Sequence, residues 1–465
     1  MHHSHRLHRA LLLAFAVCVA LAAPGAASAQ PAPVVPCSQA GERVVLTSSA
    51  RLDPSCTYTA GLEITASDVD LNCRGAVIDR TGQGGDPGIL VRTPVDADLS
   101  GVTIRNCDIR GFLNSIRVTR DGFRGLPAGQ EYVHGISDVT IKRNKVSGSR
   151  GVGLYVDGYV TRTTIQNNEI SGAGSSGIYL EAGSADNLVT RNWIHDNGFR
   201  ENGPGGSNFS FAGAQFRFWG IGREGISVDG SRRNFISRNR LEGNSAGGIF
   251  LYTNCGEYVN SRPERWFQRR YGADDNVIAD NNFEGGVNGV WVGSRMGEST
   301  LPMECSDPRY HQAGITWITL DRAAGNIVYG NSFHEVTYGV RVEDDRTKVL
   351  LNRFTASDDT HHAIVIGTPY RTSVLNRPVK NTVLIGNDSQ IAGNHDPYRW
   401  VEGDTGTAVV NNRANGQVTG ICEGKTLPRG PFVMTIAFAG IPAGGPEPEP
   451  PADLAAPTVG ALTPC

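Results

Sequence analysis

Thr140-Ile141-Lys142-Arg143-Asn144-Lys145-Val146, Thr164-Ile165-Gln166-Asn167-Asn168-Glu169-Ile170 and Leu188-Val189-Thr190-Arg191-Asn192-Trp193-Ile194 are three copies of one phrase. Each has an apolar or β-branched pair, two polar residues, Asn, any residue and an apolar residue. A turn and a strand of the type Gly-Ile-x-Val follow. The phrase returns at Phe235–Leu241, Val277–Phe283 and Ile327–Phe333. Ile141, Ile165 and Val189 stand 24 residues apart. Short strands repeating at that length cannot bury an apolar face alone and must stack on copies of themselves. The spacing predicts an all-β, single-domain parallel β-helix of about ten coils over residues 68–412. Asn at a corner tolerates left-handed backbone, and its amide can bond to the Asn one coil away, which predicts a structural ladder.

On these repeats the chain resembles the right-handed parallel β-helix superfamily, whose members include pectate, pectin and alginate lyases, polygalacturonases, mannuronan epimerases and phage tailspikes. The resemblance covers roughly residues 68–412 and speaks to fold, since one fold hosts many sites. It implies a substrate groove along the Gly-Ile-x-Val sheet. The Asn-Thr-Asp, Asp-Asp, Gly-His-Gly and Arg-Ile-Lys pattern of polygalacturonases is missing. So is the epimerase Asp-Pro-His-Asp; Asn394-His395-Asp396-Pro397 has another order.

Residues 1–29 read as a signal peptide: an apolar run from Ala10 to Ala23 precedes Ala27-Ser28-Ala29, a small-residue cleavage site. The run is shorter than the ~20 residues of a membrane span. A secreted or periplasmic location follows, with no membrane span. Residues 30–67 read as an N-terminal cap, 413–442 as a C-terminal cap segment and 443–465 as a Pro-rich tail. Outside the signal remain eight cysteines, an even number suited to disulfides in an oxidising compartment. Cys73 and Cys107 can bridge adjacent coils, and Cys37–Cys56, Cys255–Cys305 and Cys422–Cys465 are suggested by proximity. Without Arg6 and Arg9 the 43 Lys+Arg become 41 against 46 Asp+Glu, a charge of −5, which argues against a nucleic-acid partner. CxxC, HExxH and phosphate-loop spacings are missing, so zinc and nucleotide cofactors are not expected.

The repeat is broken by long insertions at about 195–224, 253–274 and 294–324, and long loops on a rigid stack usually carry function. They are rich in aromatics and arginine, including Arg262, Arg265, Trp266, Arg269 and Arg270. Such residues stack on sugar faces and fork onto carboxylates or sulfates; a polysaccharide partner, acidic in character, is expected. The alternative is that the aromatics pack the loops and the arginines pair internally. The x position of the Gly-Ile-x-Val strand should point outward. It reads Arg117, Tyr155, Tyr179, Ser227, Phe250, Trp291 and Arg341 down the coils, which makes Tyr155, Tyr179, Phe250, Trp291 and Arg341, with Tyr252, an expected exposed binding stripe.

Two residues beyond x stand Asp157, Glu181 and Asp229 on consecutive coils, with Glu343 further along. Like charges about 4.8 Å apart repel by roughly 3.5 kcal/mol at an effective dielectric of 20. The row therefore calls for a cation, shared protons, arginine partners or a catalytic use; Asp157-Gly158 and Asp229-Gly230 also suit plain turns. Elimination on a uronate would use Arg233 or an arginine of the 262–270 stretch, with calcium on Asp157, Glu181 and Asp229. Hydrolysis would use Glu181 as proton donor and Asp157 or Asp229 as base or nucleophile. Elimination is set ahead of hydrolysis, and a non-catalytic glycan binder is the third class.

Overall fold

The computed structural model describes residues 31–82, 85, 87–198, 223–255, 267–293, 322–368, 371, 377–401 and 406–421. Residues 207–211, 214–218, 296–299, 310–313, 316–320, 422–423 and 434–436 are described as backbone strands alone. The expected signal, the 443–465 tail, and Arg262, Arg265, Trp266 and Cys305 lie outside them.

The unit Pro33–Cys465 carries three sheets of 13 strands, each sheet ordered along the chain so that every coil adds one strand to each. One sheet holds the strand before the repeated Asn (Thr140–Lys142), one the strand after it (Lys145–Ser147) and one the Gly-Ile-x-Val strand (Leu154–Val156). The rungs outnumber the ten coils counted from the phrase because pairing starts early. Val34–Val35, Val44–Leu46 and Thr57–Tyr58 already belong to the three sheets.

Equivalent side chains lie on top of one another. Ile104, Ile141, Ile165, Val189, Ile236 and Ile278 pair in register, at 0–1% exposure. Phe283, Phe333 and Phe354 stack with ring centroids 4.6 and 4.8 Å apart. The Gly of Gly-Ile-x-Val is explained by this packing. A Cβ on Gly289 would lie 2.4 Å from the Phe333 ring and 2.5 Å from the Gly339 carbonyl oxygen.

The Asn ladder runs from Asn144 to Asn412. At each step the backbone N–H and the side-chain amide donate to the next Asn carbonyl oxygen, as from Asn144 to Asn168 (3.0 and 3.0 Å) and from Asn387 to Asn412 (3.1 and 2.8 Å). A second ladder, missed in the sequence, links Asn187, Asn234, Asn276 and Asn326. The left-handed conformation falls one residue earlier than expected, on Arg143, Asn167, Arg191, Arg238, Asp280 and Leu351. The Asn itself is recruited for its amide. Leu351, at φ 53° and half exposed, stands between Gly330 and Gly386 in this column. A left-handed L-residue costs about 1–2 kcal/mol, partly offset by the larger chain entropy of Gly. Leu351→Gly is therefore expected to stabilise by about 0.5–1 kcal/mol, seen as a higher denaturant midpoint.

Cys37–Cys56 and Cys73–Cys107 are disulfides, the second joining adjacent coils. Cys255 is also disulfide-bonded.

Candidate active site

The Gly-Ile-x-Val strands hold Tyr155, Tyr179, Ser227, Phe250, Trp291 and Arg341 in one register. Since Val156, Leu180 and Val228 pair, the acids that follow them, Asp157, Glu181 and Asp229, sit on three consecutive rungs. The sequence placed the x stripe at the surface; the structure covers it. Tyr179 is 5% exposed, Phe250 2%, Tyr252 1%, Trp291 5% and Arg341 6%. Phe250, Tyr252 and Trp291 form a cluster with Ala246, apart from the main core. Tyr155 packs edge-on against Tyr179, centroids 5.1 Å apart. Most of these rings are packing surface rather than an open sugar platform.

The acids are buried, and three arginines meet them. Arg117 forks its Nε (2.9 Å) and Nη2 (2.7 Å) onto one Asp157 oxygen. Arg124 reaches Glu181 at 3.0 Å. Arg269 lies 3.5 Å from Glu181 and 3.5 Å from Asp229, and its Nε donates to the Asn254 carbonyl at 3.1 Å. Asp229 also accepts from the Tyr179 hydroxyl and the Asn254 N–H, both at 2.7 Å. Burial pushes the Asp157 carboxyl above the usual carboxylate range; Arg117 pulls the other way, and the Glu181 charge adds to the rise. Burial also works against the charge on Arg117 and Arg124, but the acids outweigh it and both are held above the ordinary arginine value. Arginine pairing, one of the options open from sequence, is how this row of like charges persists.

This arrangement does not fit calcium on Asp157, Glu181 and Asp229. Each carboxylate turns an oxygen to a guanidinium, the second Asp157 oxygen is buried without a hydrogen-bond partner, and the three groups do not converge on one point. Among the described residues the donors gathered within 4.8 Å of one another are Cys37, Asp53 and Cys56, two of them tied in a disulfide.

Arg233 is not beside the acids. It forks onto Asp186 (2.8 and 2.7 Å), with both partners nearly half exposed. Glu343 is paired with Arg341, and its carbonyl accepts from Arg371 at 2.8 Å. Arg270 pairs with Glu131 at 2.7 Å. For Arg269 and Arg270 the internal-pairing alternative therefore holds.

Two parts of the site escaped the sequence reading. Glu224, 2% exposed, accepts from the Tyr252 hydroxyl at 2.7 Å and from Ser227. The segment 121–134 brings Arg124 to Glu181, packs Phe123 against Tyr159 and Phe267, and anchors through the Tyr132 hydroxyl on the Gly183 carbonyl at 2.6 Å. Arg120, 3% exposed, holds this segment by donating to the carbonyls of Val95, Glu131 and His134. Its signal was in the spacing: Ile104 pairs with Ile141, 37 residues on, against the basic 24.

A sequence model described as the right handed beta helix region matches residues 61–262, and one described as periplasmic copper-binding protein (NosD) matches 205–372. No curated sequence matches the chain. Among solved structures, the A-module of Azotobacter vinelandii mannuronan C-5 epimerase AlgE6 aligns at 15% identity and TM-score 0.48, covering 85% of this chain and 92% of that one. An alginate lyase from Paenibacillus sp. strain FPU-7 aligns at 13% and 0.40, covering 74% and 89%. The catalytic domain of a GH87 alpha-1,3-glucanase aligns at 11% and 0.43, covering 80% and 62%. None of these likenesses carries an activity to this chain. With three parallel sheets gaining one strand per coil, and a sequence model of the right handed beta helix region matched over residues 61–262, the chain has the fold of a right-handed parallel β-helix.

Proposed function

We propose that the protein is a secreted or periplasmic carbohydrate-active enzyme that binds an acidic polysaccharide over the Asp157–Glu181–Asp229 row and cleaves it by β-elimination. The observation that carries this reading is the order of charge from outside inward. The side chains of Arg117 and Arg124 are each 30% exposed, whereas those of the acids behind them are 0–3% exposed. A ligand therefore meets guanidiniums first. Donating to a uronate carboxylate the N–H groups not spent on the acids, they would withdraw its charge and ease loss of the C5 proton to a base. The C4–O bond then breaks, its oxygen is protonated, and a C4=C5 double bond remains.

Hydrolysis is the second reading, because carboxyls on neighbouring rungs approach the separation of about 5–5.5 Å used by retaining enzymes. It ranks lower because Asp157 and Asp229, the base or nucleophile of that scheme, are fully buried, and such a group must reach the anomeric carbon or the water that attacks it. Export is supported by the disulfides and by the periplasmic character of the second matching family. No helix among the described residues is long and apolar enough to cross a membrane. Copper binding is not carried over from that description.

The test is turnover of polygalacturonate, alginate and glucuronan, followed by the ultraviolet absorbance of unsaturated uronate and by new reducing ends, with xylan as the neutral control. Arg124→Gln is expected to lower kcat/KM by about a hundredfold, the usual loss when one preorganised charge partner is removed. New reducing ends without ultraviolet absorbance would move the assignment to hydrolysis. Salt-sensitive binding without turnover would make the protein a glycan binder.

A further inference from the structure

Beside the row, on the turn that leaves the Gly-Ile-x-Val sheet, lies a cleft of about 350 Å³. That volume falls within the ~300–1,000 Å³ typical of small-molecule sites. Its wall is built by the turn itself, where Ser137, Thr161, Ala185 and Arg232 pair coil to coil. The opposite rim is the 132–135 segment, held by Arg120 and by the Tyr132–Gly183 hydrogen bond, so the cleft is formed before any ligand arrives.

Two of the arginines in the cleft are each matched by a carboxylate. Arg162 forks onto Asp138 (2.8 and 2.7 Å) and Arg233 onto Asp186 (2.8 and 2.7 Å). The Asp98 carboxylate accepts from the Gly135 N–H at 2.9 Å and lies 3.1 Å from His134 Nδ1. Arg232 makes no ion pair with a described residue, and its buried Nε has no hydrogen-bond partner. Its guanidinium lies over the Tyr271 ring, 3.9 Å from the centroid, with Tyr132 at 5.8 Å. Tyr132 takes one side-chain contact from this guanidinium, and the rest of its edge is left for a planar partner. Tyr132 is 38% exposed at the mouth and offers a ring to the C–H face of a sugar.

We propose that this cleft is a second binding site, for a monosaccharide-sized sugar acid, with Arg232 as the anchor of its carboxylate. Arg232 is the lining arginine with no carboxylate partner among the described residues, and it suits one negative charge. The nearby Asp98 and Asp186 carboxylates would repel a dianion such as phosphate more strongly than a singly charged sugar acid. They also supply, with His134 and Thr161, the acceptors and donors that a polyhydroxylated ring needs and a simple carboxylate does not. The site contains neither the three acids of the row nor their arginines, so it stands apart from the reading of the row.

The experiment is calorimetric titration of the full mature protein with D-glucuronate and D-galacturonate, beside D-glucose, acetate and inorganic phosphate. At least one uronate is expected to bind more tightly than every control, and its affinity to fall as salt rises. Arg232→Gln should weaken it tenfold or more, and Arg232→Lys by less. Glu181→Gln, which strikes the row and its activity, should leave uronate affinity unchanged. The proposal is overturned by glucose, acetate or phosphate binding as tightly as the uronates, by no uronate binding to the wild type, or by full affinity in a folded Arg232→Gln protein. If Arg232→Gln does not fold, the wild-type salt series decides: uronate affinity indifferent to salt overturns the proposal.

Discussion

Arg269→Met is expected to destabilise the protein by about 3–5 kcal/mol, the range found when one partner of a buried ion pair is removed. The side chain of Arg269 is 3% exposed and is shared between Glu181 and Asp229, at 3.5 Å from each. Methionine fills much of the same volume, so the loss is electrostatic rather than a cavity. Glu181 keeps Arg124 at 3.0 Å, and Asp229 keeps the Tyr179 hydroxyl and the Asn254 N–H. Those contacts hold the effect at the scale of one missing charge. One control separates this account from simple loosening of the loop. Removing the acid as well, in Glu181→Gln with Arg269→Met, should recover part of the stability that either change alone costs. A double variant whose loss is the plain sum of the two single losses would assign Arg269 a packing role instead.

The stack was legible in the sequence because every rung must satisfy the same requirements. Ile141, Ile165 and Val189 recur at one position because each buries itself on the one before. Asn144, Asn168 and Asn192 recur because each amide completes the next. The row Asp157, Glu181 and Asp229 was readable for the same reason. What covers the row was not, since no period governs it. Arg124 meets Glu181 across 57 residues and Arg269 meets it across 88. Neither distance is a multiple of the coil, and both pairings depend on how an insertion folds back over the sheet. The same blindness made the aromatic stripe look open: Tyr179, Phe250 and Trp291 do alternate away from the core, yet a second layer buries them. Alternation reports which face a side chain takes, and only the tertiary fold decides whether water reaches that face. Arg233 was misassigned by proximity in the chain. It follows Asp229 by four residues, but the intervening turn carries it out to Asp186.

Asn239→Leu is expected to cost about 3–5 kcal/mol, although leucine is the more apolar residue and the site is only 2% exposed. The Asn239 carbonyl oxygen accepts from both the backbone N–H and the side-chain amide of Asn192, each at 2.9 Å. Its own amide donates to the carbonyl of Val189 and to the side-chain oxygen of Asn281, again at 2.9 Å each. Leucine leaves the Asn192 N–H buried without that acceptor, and an orphaned buried donor or acceptor costs about 1–3 kcal/mol. It must also place a branched chain where a flat amide lay between two others. In a solenoid each rung touches only its neighbours, so hydrogen-exchange protection should fall first in the rungs of Asn192 and Asn281 and be least affected near Ile104. Asn239→Asp sharpens the test. Its carboxylate still accepts from Asn192 but faces the Asn281 oxygen and the Val189 carbonyl, with no donor to offer them. The aspartate variant should thus be the less stable of the two at neutral pH and regain stability on acidification, as a protonated carboxyl recovers one donated bond. An aspartate variant as stable as wild type at neutral pH would mean that water, rather than the amide ladder, satisfies this corner of the coil.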